Sequence, residues 1–341
     1  MKQKILVTGG AGFIGSHTVV ELANAGFEPI IIDTFENSSP SVLDGLEKIL
    51  GYKPEAFHAD CAIKSQLTPV FDAHPDMVGV IHFAAYKAVG ESVQQPLKYY
   101  HNNLFSTITL LEVMQERNIP HLAFSSSCTV YGQPEKLPVT EAAPVVPAES
   151  PYGNTKQICE EIIRDAIKSG VEIKALSLRY FNPIGAHPSA AIGELPIGVP
   201  GNLVPFVGQV AAGIRESVAI FGNDYNTPDG TCIRDYIHVV DLAKAHVKAI
   251  EVLKKQTEKS WFDFVNLGTG TGNSVLEVVS TFEKVTGEKL NWKFAPRRPG
   301  DVEQVWADTT KAWEMLEWKT ELSLEQALID TWRWQQKLSA K

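Results

Sequence analysis

The sequence predicts an α/β fold, a doubly wound parallel sheet with helices on both faces and a smaller mixed α/β lobe over the strand ends. Three observations lead there. Short apolar runs alternate with helical patterns as far as residue 180. The first run is followed at once by a glycine-rich turn that opens a helix. Beyond Asn182 the chain becomes rich in Gly, Pro and Asn over 183–235, the texture of an irregular lobe carried by a sheet.

The elements follow in order. Lys4–Thr8 is an apolar strand, and the stretch from Ser16 to Ala25 is a helix closed by Gly26. Pro29–Asp33 is the second strand, which completes a βαβ unit. Val78–Phe83 is a buried strand, Asn102–Glu116 a helix, and His121–Ser125 the next strand. A long helix over Tyr152–Ser169 leads to the strand Ile173–Tyr180, and Val239–Leu253 is helical again. From about Asn273 two helices flank the loop Phe294–Asp301. We therefore expect a first lobe over residues 1–182, rejoined by about 235–262, and a second over 183–341. The chain carries no internal repeat and no low-complexity linker, so the lobes should form one packed unit.

Composition narrows the function. Lys and Arg number 31 against 40 Asp and Glu, a net charge of −9 with no long basic run, which argues against a binder of nucleic-acid backbones. No apolar stretch approaches the about 18 residues of a membrane span. The apolar run after Met1 breaks at Thr8, too early for an export signal, and the four cysteines are widely spaced, so a cytoplasmic location with reduced thiols is expected. No Cys/His spacing suggests a metal site.

Gly9, Gly12 and Gly15 form a GxxGxxG turn between the first strand and its helix. Such a turn lets backbone approach a pyrophosphate, and the helix N-terminus adds free N–H groups and a positive dipole end. Its placement makes the fold Rossmann-type. Asp33 closes the second strand, 18 residues after Gly15, where a carboxylate accepts both ribose hydroxyls of an adenosine and repels a 2′-phosphate. That favours NAD over NADP. Asp60 could meet the adenine, although a lone loop acid is more often merely solvated.

Tyr152 and Lys156 are four residues apart on one helix, hence on one face. A nearby ammonium should lower the tyrosine below its usual ~10 and make it a base for a sugar hydroxyl. Ser127, in the Ser125–Ser127 run at a strand end, is placed to bond a reacting hydroxyl, while some of these serines should cap the following turn. Arg234 and Arg298, in loops of the second lobe, suit phosphate oxygens, with Asn182 and Asn202 as neutral partners. His238, His246 and the tryptophans clustered after residue 305 are expected to be structural.

The chain resembles the extended short-chain dehydrogenase/reductase family, in its UDP-hexose 4-epimerase branch. The stretches that carry the resemblance are Thr8–Gly15, His82–Ser92, Ser125–Gly132, Ser150–Lys156, Arg179–Pro188, Ala219–Tyr225, Asp229–His238 and Trp306–Asp308, spanning nearly the whole chain. It implies a tightly bound NAD, a UDP-hexose substrate that epimerises at C4 through a transient 4-keto sugar, and a homodimer through two helices of the first lobe. Tyr152 would be base and acid, Ser127 would position the 4-hydroxyl, and Lys156 would hold the nicotinamide ribose. Phe13, Ile14, Asn37, Cys61, Phe83, Ala84, Lys87, Asn102, Ser125 and Tyr180 would join the cofactor site. Phe181, Leu203, Ala219, Phe221 and Asp301, with Lys87, would join Asn182, Asn202, Arg234 and Arg298 around the UDP-sugar.

Two positions depart from the branch. Cys128 stands where Ala is usual, and Val305 stands where enzymes confined to plain hexoses carry Tyr, which would open the pocket to an N-acetyl group unless Tyr86 refills it. The rival readings are a nucleotide-sugar 4,6-dehydratase of the same superfamily and a non-enzymatic NAD-sensing protein. The first wants a carboxyl beside Ser127, where the chain has Cys128 and Thr129; the second should have lost Tyr152 or Lys156.

Overall fold

The computed structural model describes residues 2–298 and 301–340. The first half of the main sheet is built by β1 (Lys4–Thr8), α1 (Phe13–Asn24), β2 (Glu28–Asp33), α2 (Ser41–Leu50), β3 (Glu55–His58), α3 (Lys64–Ala73) and β4 (Met77–His82). It continues with α4 (Val89–Gln94), α5 (Pro96–Glu116), β5 (His121–Ser127), α6 (Pro151–Lys168) and β6 (Lys174–Tyr180). The remaining chain forms β7 (Asn182–Ile184), α7 (Leu203–Ala211), β8 (Val218–Phe221), β9 (Ile233–Arg234), β10 (Tyr236–His238), α8 (Val239–Lys255) and β11 (Trp261–Leu267). It ends with β12 (Asn273–Ser274), α9 (Val275–Thr286), β13 (Trp292–Ala295), β14 (Gln304–Val305), α10 (Thr310–Leu316) and α11 (Leu324–Ser339).

Seven strands pair in the order β11-β6-β5-β4-β1-β2-β3, every pair parallel. The apolar strands demand two covered faces. Ile5, Val7 and Ile31 meet Val19 and Leu22 of α1 and Leu242 and Ile250 of α8 on one face. Leu6, Ile30 and Ile32 meet Val70 of α3, Leu110 and Met114 of α5 and Ile163 of α6 on the other. Each such side chain, once buried, contributes about 1.5–3 kcal/mol. Strand order reverses between β1 and β4, which opens a crevice at their carboxyl ends.

β11 joins this sheet, so the return of the chain reaches Leu267, past the expected 262. The second lobe has its own core, in which Val204 and Val207 of α7, Ile220 of β8, Phe282 of α9 and Leu328 of α11 meet. β8 pairs with β13, and β9 lies between β12 and β14. Five elements lack the sequence signal their class usually gives. α2 has Gly45 at its centre, α3 contains Pro69, and α7 contains Pro205 and Gly208. β3, Glu-Ala-Phe-His, is a sheet edge without an apolar run, and β8 is only four residues long. Three helices, not two, follow Asn273. No described helix is long and apolar enough to cross a membrane.

Candidate functional site

The glycine turn lies in the crevice. Gly9 adopts φ +67°, and a Cβ there would stand 2.9 Å from the Ala84 amide nitrogen beyond β4. A Cβ on Gly15 would stand 2.2 Å from the Gly9 carbonyl oxygen, so the helix start and the turn touch backbone to backbone. Gly12 caps α1 with no side chain, which leaves the first-turn N–H groups of Phe13, Ile14 and Gly15 without helix carbonyls and open to a ligand. The Asp33 carboxylate accepts from Ala11 N at 3.0 Å, Phe35 N at 2.8 Å and Ser38 Oγ at 2.8 Å, which fixes it beside the turn with acceptor capacity to spare. These features fit a dinucleotide: close backbone, free donors and a fixed acid.

The other positions expected to line a cofactor differ in their state. Asp60 accepts from Ala62 N at 2.8 Å, Cys61 is buried with its thiol pushed up to about 12 by burial, and Asn37 is exposed. Ala84 N donates to Thr8 Oγ1 at 3.3 Å, and the Phe83 ring lies 4.6 Å from that of His246. Asn102 donates to the Oδ1 of Asn103 at 2.9 Å. Asn103 is buried, accepts from Tyr86 N and donates to Thr155 Oγ1 at 3.0 Å, tying the β4 loop to α6. The sequence offered no cue to separate it from its neighbour.

Ser150 accepts from Gly153 N and Pro151 opens α6, which places Tyr152 and Lys156 in its first two turns. Both are buried. The Lys156 ammonium donates to the Ser125 carbonyl at 2.6 Å, and Ser125 Oγ pairs with Tyr180 Oη at 2.7 Å. Ser127 is both near the tyrosine and a cap, because it accepts from Thr129 N at 3.2 Å. One expectation is corrected. Burial pushes the Tyr152 phenol above its ordinary value, with a further push from Tyr180 and only a partial offset from a Ser127 hydrogen bond. Lys156, whose ammonium is 6.0 Å from the tyrosine ring centre and turned to the Ser125 carbonyl, does not outweigh that burial. Burial holds Lys156 itself down to about 8.

The second lobe gathers cations of its own. Arg234 lies on β9, not in a loop, and its Nη2 is 3.5 Å from Asp301 Oδ1. Arg298 Nε donates to Asp301 Oδ2 at 3.1 Å, and its guanidinium lies 4.7 Å from the centre of the half-exposed Phe221 ring. Asp301 thus holds two guanidinium groups together. Ala219 and Phe221 belong to β8, and Leu203 opens α7 beside its N-cap Asn202. Val305 pairs with Arg234 and shares a small core with Phe181, Cys128 and Val130. Asn182 begins β7 and donates its N–H to the Asp235 carbonyl at 2.9 Å.

Lys87 and Asn202 do not hang free. Both donate to Glu194 Oε1, at 3.0 and 2.9 Å, so one carboxylate bridges the lobes. Glu194 escaped the sequence because its lysine is 107 residues away. Tyr86 bonds Glu36 and lies under Lys98, so its ring is occupied elsewhere than in the Val305 core.

Comparison with known proteins agrees across the chain. A family model described as GDP-mannose 4,6 dehydratase matches residues 6–331. A UDP-glucose 4-epimerase of Bacillus subtilis (strain 168) is 51% identical over 331 residues, 97% of this chain and 96% of that one. The crystal structure of a Stenotrophomonas maltophila UDP-glucose-4-epimerase with bound NAD and formylated UDP-arabinopyranose is similar at a TM-score of 0.95 and 44% identity, over 99% of both chains. That of a Bifidobacterium longum UDP-glucose 4-epimerase with NAD+ and UDP gives 0.93 and 46%, over 98% of both.

Proposed function

The chain belongs to the UDP-glucose 4-epimerase family, and we propose that it interconverts UDP-glucose and UDP-galactose with a retained NAD. The observation that carries this reading is a chain of contacts: Lys156 is seated on the Ser125 carbonyl of β5, the glycine turn abuts Ala84 just beyond the neighbouring β4, and Arg234, held with Arg298 by Asp301, pairs with Val305, which shares a core with Cys128 directly after Ser127.

In this reading the first-turn N–H groups of α1 and the Asp33 carboxylate hold the dinucleotide, with Lys156 at its nicotinamide ribose. A bound NAD, held as above, would supply a reversible hydride acceptor for sugar C4 and, when oxidised, a positive charge beside the ring. Tyr152 takes the O4 proton in the first half and gives it back in the second. Burial raises its phenol in the chain alone, so it rests protonated there. Ser127 orients the O4 oxygen. Arg234 and Arg298 hold the diphosphate, with Asn182, Asn202 and Leu203 beside them, and the β8 backbone near Ala219 and Phe221 meets the base. Anchoring the nucleotide leaves the sugar free to present either face.

The dehydratase alternative lacks its acid. Beside Ser127 stand Thr129 and Cys128, whose thiol burial pushes up to about 12, and neither is a donor suited to a leaving 6-hydroxyl at neutral pH. Purified protein given UDP-galactose and no added NAD should form UDP-glucose, read by proton NMR, and a 4-keto-6-deoxy product would overturn the assignment.

Two finer proposals follow. Val305 is smaller than the Tyr of plain-hexose enzymes and Tyr86 is engaged elsewhere, so UDP-N-acetylgalactosamine should also turn over. Val305→Tyr should cut that rate about 10-fold or more and the UDP-galactose rate less; equal loss on both substrates contradicts the assignment. The second is a homodimer. Leu97, His101 and Phe105 share one face of α5, with Leu97 81% and Phe105 50% exposed, and an apolar stripe of that kind suits a second copy of this chain. Sedimentation equilibrium should give twice the chain mass, and Leu97→Asp should shift it toward one. Four free cysteines, three of them buried, suit a cytoplasmic location.

A further inference from the structure

Behind the catalytic side chains lies a second charged group that the reaction does not touch. The Glu160 carboxylate is on α6, four residues after Lys156 and eight after Tyr152, on the same helix face. It receives Arg179 Nε at 3.0 Å and Nη2 at 2.5 Å, a two-pronged pair with side chains only 2–3% exposed. Ser126 Oγ, from β5, donates to the same carboxylate at 2.5 Å. Arg179 Nη1 donates to Tyr131 Oη at 3.0 Å, and Tyr131 donates to Asn266 Oδ1 at 2.7 Å on β11. The guanidinium lies 3.7 Å from the centre of the Phe264 ring. One network thus joins the catalytic helix to β5, β6 and β11.

We propose that Glu160, clamped by Arg179 and Ser126, is the positioning residue that keeps Lys156 charged and seated on the Ser125 carbonyl, and so sets the reach between Tyr152 and Ser127. Ser126 lies between the two residues that matter, Ser125 and Ser127, so any slip of α6 along β5 is resisted at that point. A buried pair costs desolvation that its own attraction barely offsets, so fold stability alone is a poor reason for it.

The groups facing Lys156 show why the carboxylate decides its charge. On α6 they are Tyr152, Cys159 and Glu160; His82 comes from β4, Tyr99 from α5, and Arg179 and Tyr180 from β6. Burial holds His82 down to about 3, so it is neutral, and burial raises the Cys159 thiol and the phenols, so they stay protonated. Burial holds Lys156 at about 8, against the opposing pull of Cys159 and Glu160, and of these two Glu160 is the carboxylate. A lysine loses its charge as pH rises through its own value, so turnover that needs the ammonium should be full well below pH 8 and fall as pH rises through it.

The proposal rests on the epimerase reading, and its test separates the two. The wild-type protein must first convert UDP-galactose; inactivity there would fail that reading alone. The double variant Glu160→Gln/Arg179→Met removes both charges and keeps the volume. With fold and NAD content checked, the alkaline limb of its kcat–pH profile should move down by about half a unit or more. Its kcat should fall about 10-fold with KM within about twofold. Ser126→Ala, which keeps both charges, should move the limb the same way by less, and it carries the test if the double variant does not fold. Profiles that superimpose on the wild type, whatever the melting temperature, would overturn the proposal.

Discussion

Replacing Tyr152 with Phe should reduce kcat by about 10³-fold or more while UDP-hexose binding and NAD content stay close to wild type. The variant keeps the ring that is buried between Ser127 and the Lys156 turn and removes only the oxygen that carries the proton. The fold should not suffer, because among the described residues the phenol's hydrogen-bond partner is the Ser127 side chain, which Thr129 N also bonds. Steady-state kinetics on UDP-galactose, with isothermal titration of UDP for binding, checks it. Residual activity within tenfold of wild type would remove Tyr152 from the proton transfer.

Gly15→Ala should abolish NAD retention. The added Cβ would stand 2.2 Å from the Gly9 carbonyl oxygen and 2.9 Å from Gly10 Cα, both backbone, so no side chain can swing aside. Either α1 moves off β1 or the turn opens, and in both cases the free N–H groups leave the place where a pyrophosphate would sit. Overpacking of this kind costs typically about 1–3 kcal/mol, which a domain of this size can survive folded. The cofactor released on heat denaturation, read by absorbance, should fall to a small fraction of wild type. Stoichiometric NAD in the variant would contradict the assigned role of the turn.

The parts of the site that were legible in the sequence are those held by local spacing. The glycine triplet, the strand-ending Asp33 and the Tyr152/Lys156 pair each declare themselves within one strand–turn–helix or one helical turn. The parts that were not legible depend on contacts between distant segments. Glu194 gathers Lys87 and Asn202 from opposite lobes. Asn103 and Asn102 are adjacent, and only packing shows which of them is buried. The lowered tyrosine suggested by an adjacent lysine gave way to burial, a property that no spacing reports. The fold followed the same division. The apolar strands stood out, whereas α2, α3 and α7 carry Gly or Pro inside, and tertiary packing holds them as helices.

The central claim is that hydride leaves C4 and returns to C4 without meeting solvent. UDP-galactose carrying deuterium at C4 is the direct probe, incubated with the protein as purified and with no NAD added. The product should be UDP-glucose with the deuterium still at C4, seen as loss of the H4 proton signal. UDP-glucose with protium at C4, or a product that has lost its 6-hydroxyl, would contradict the account.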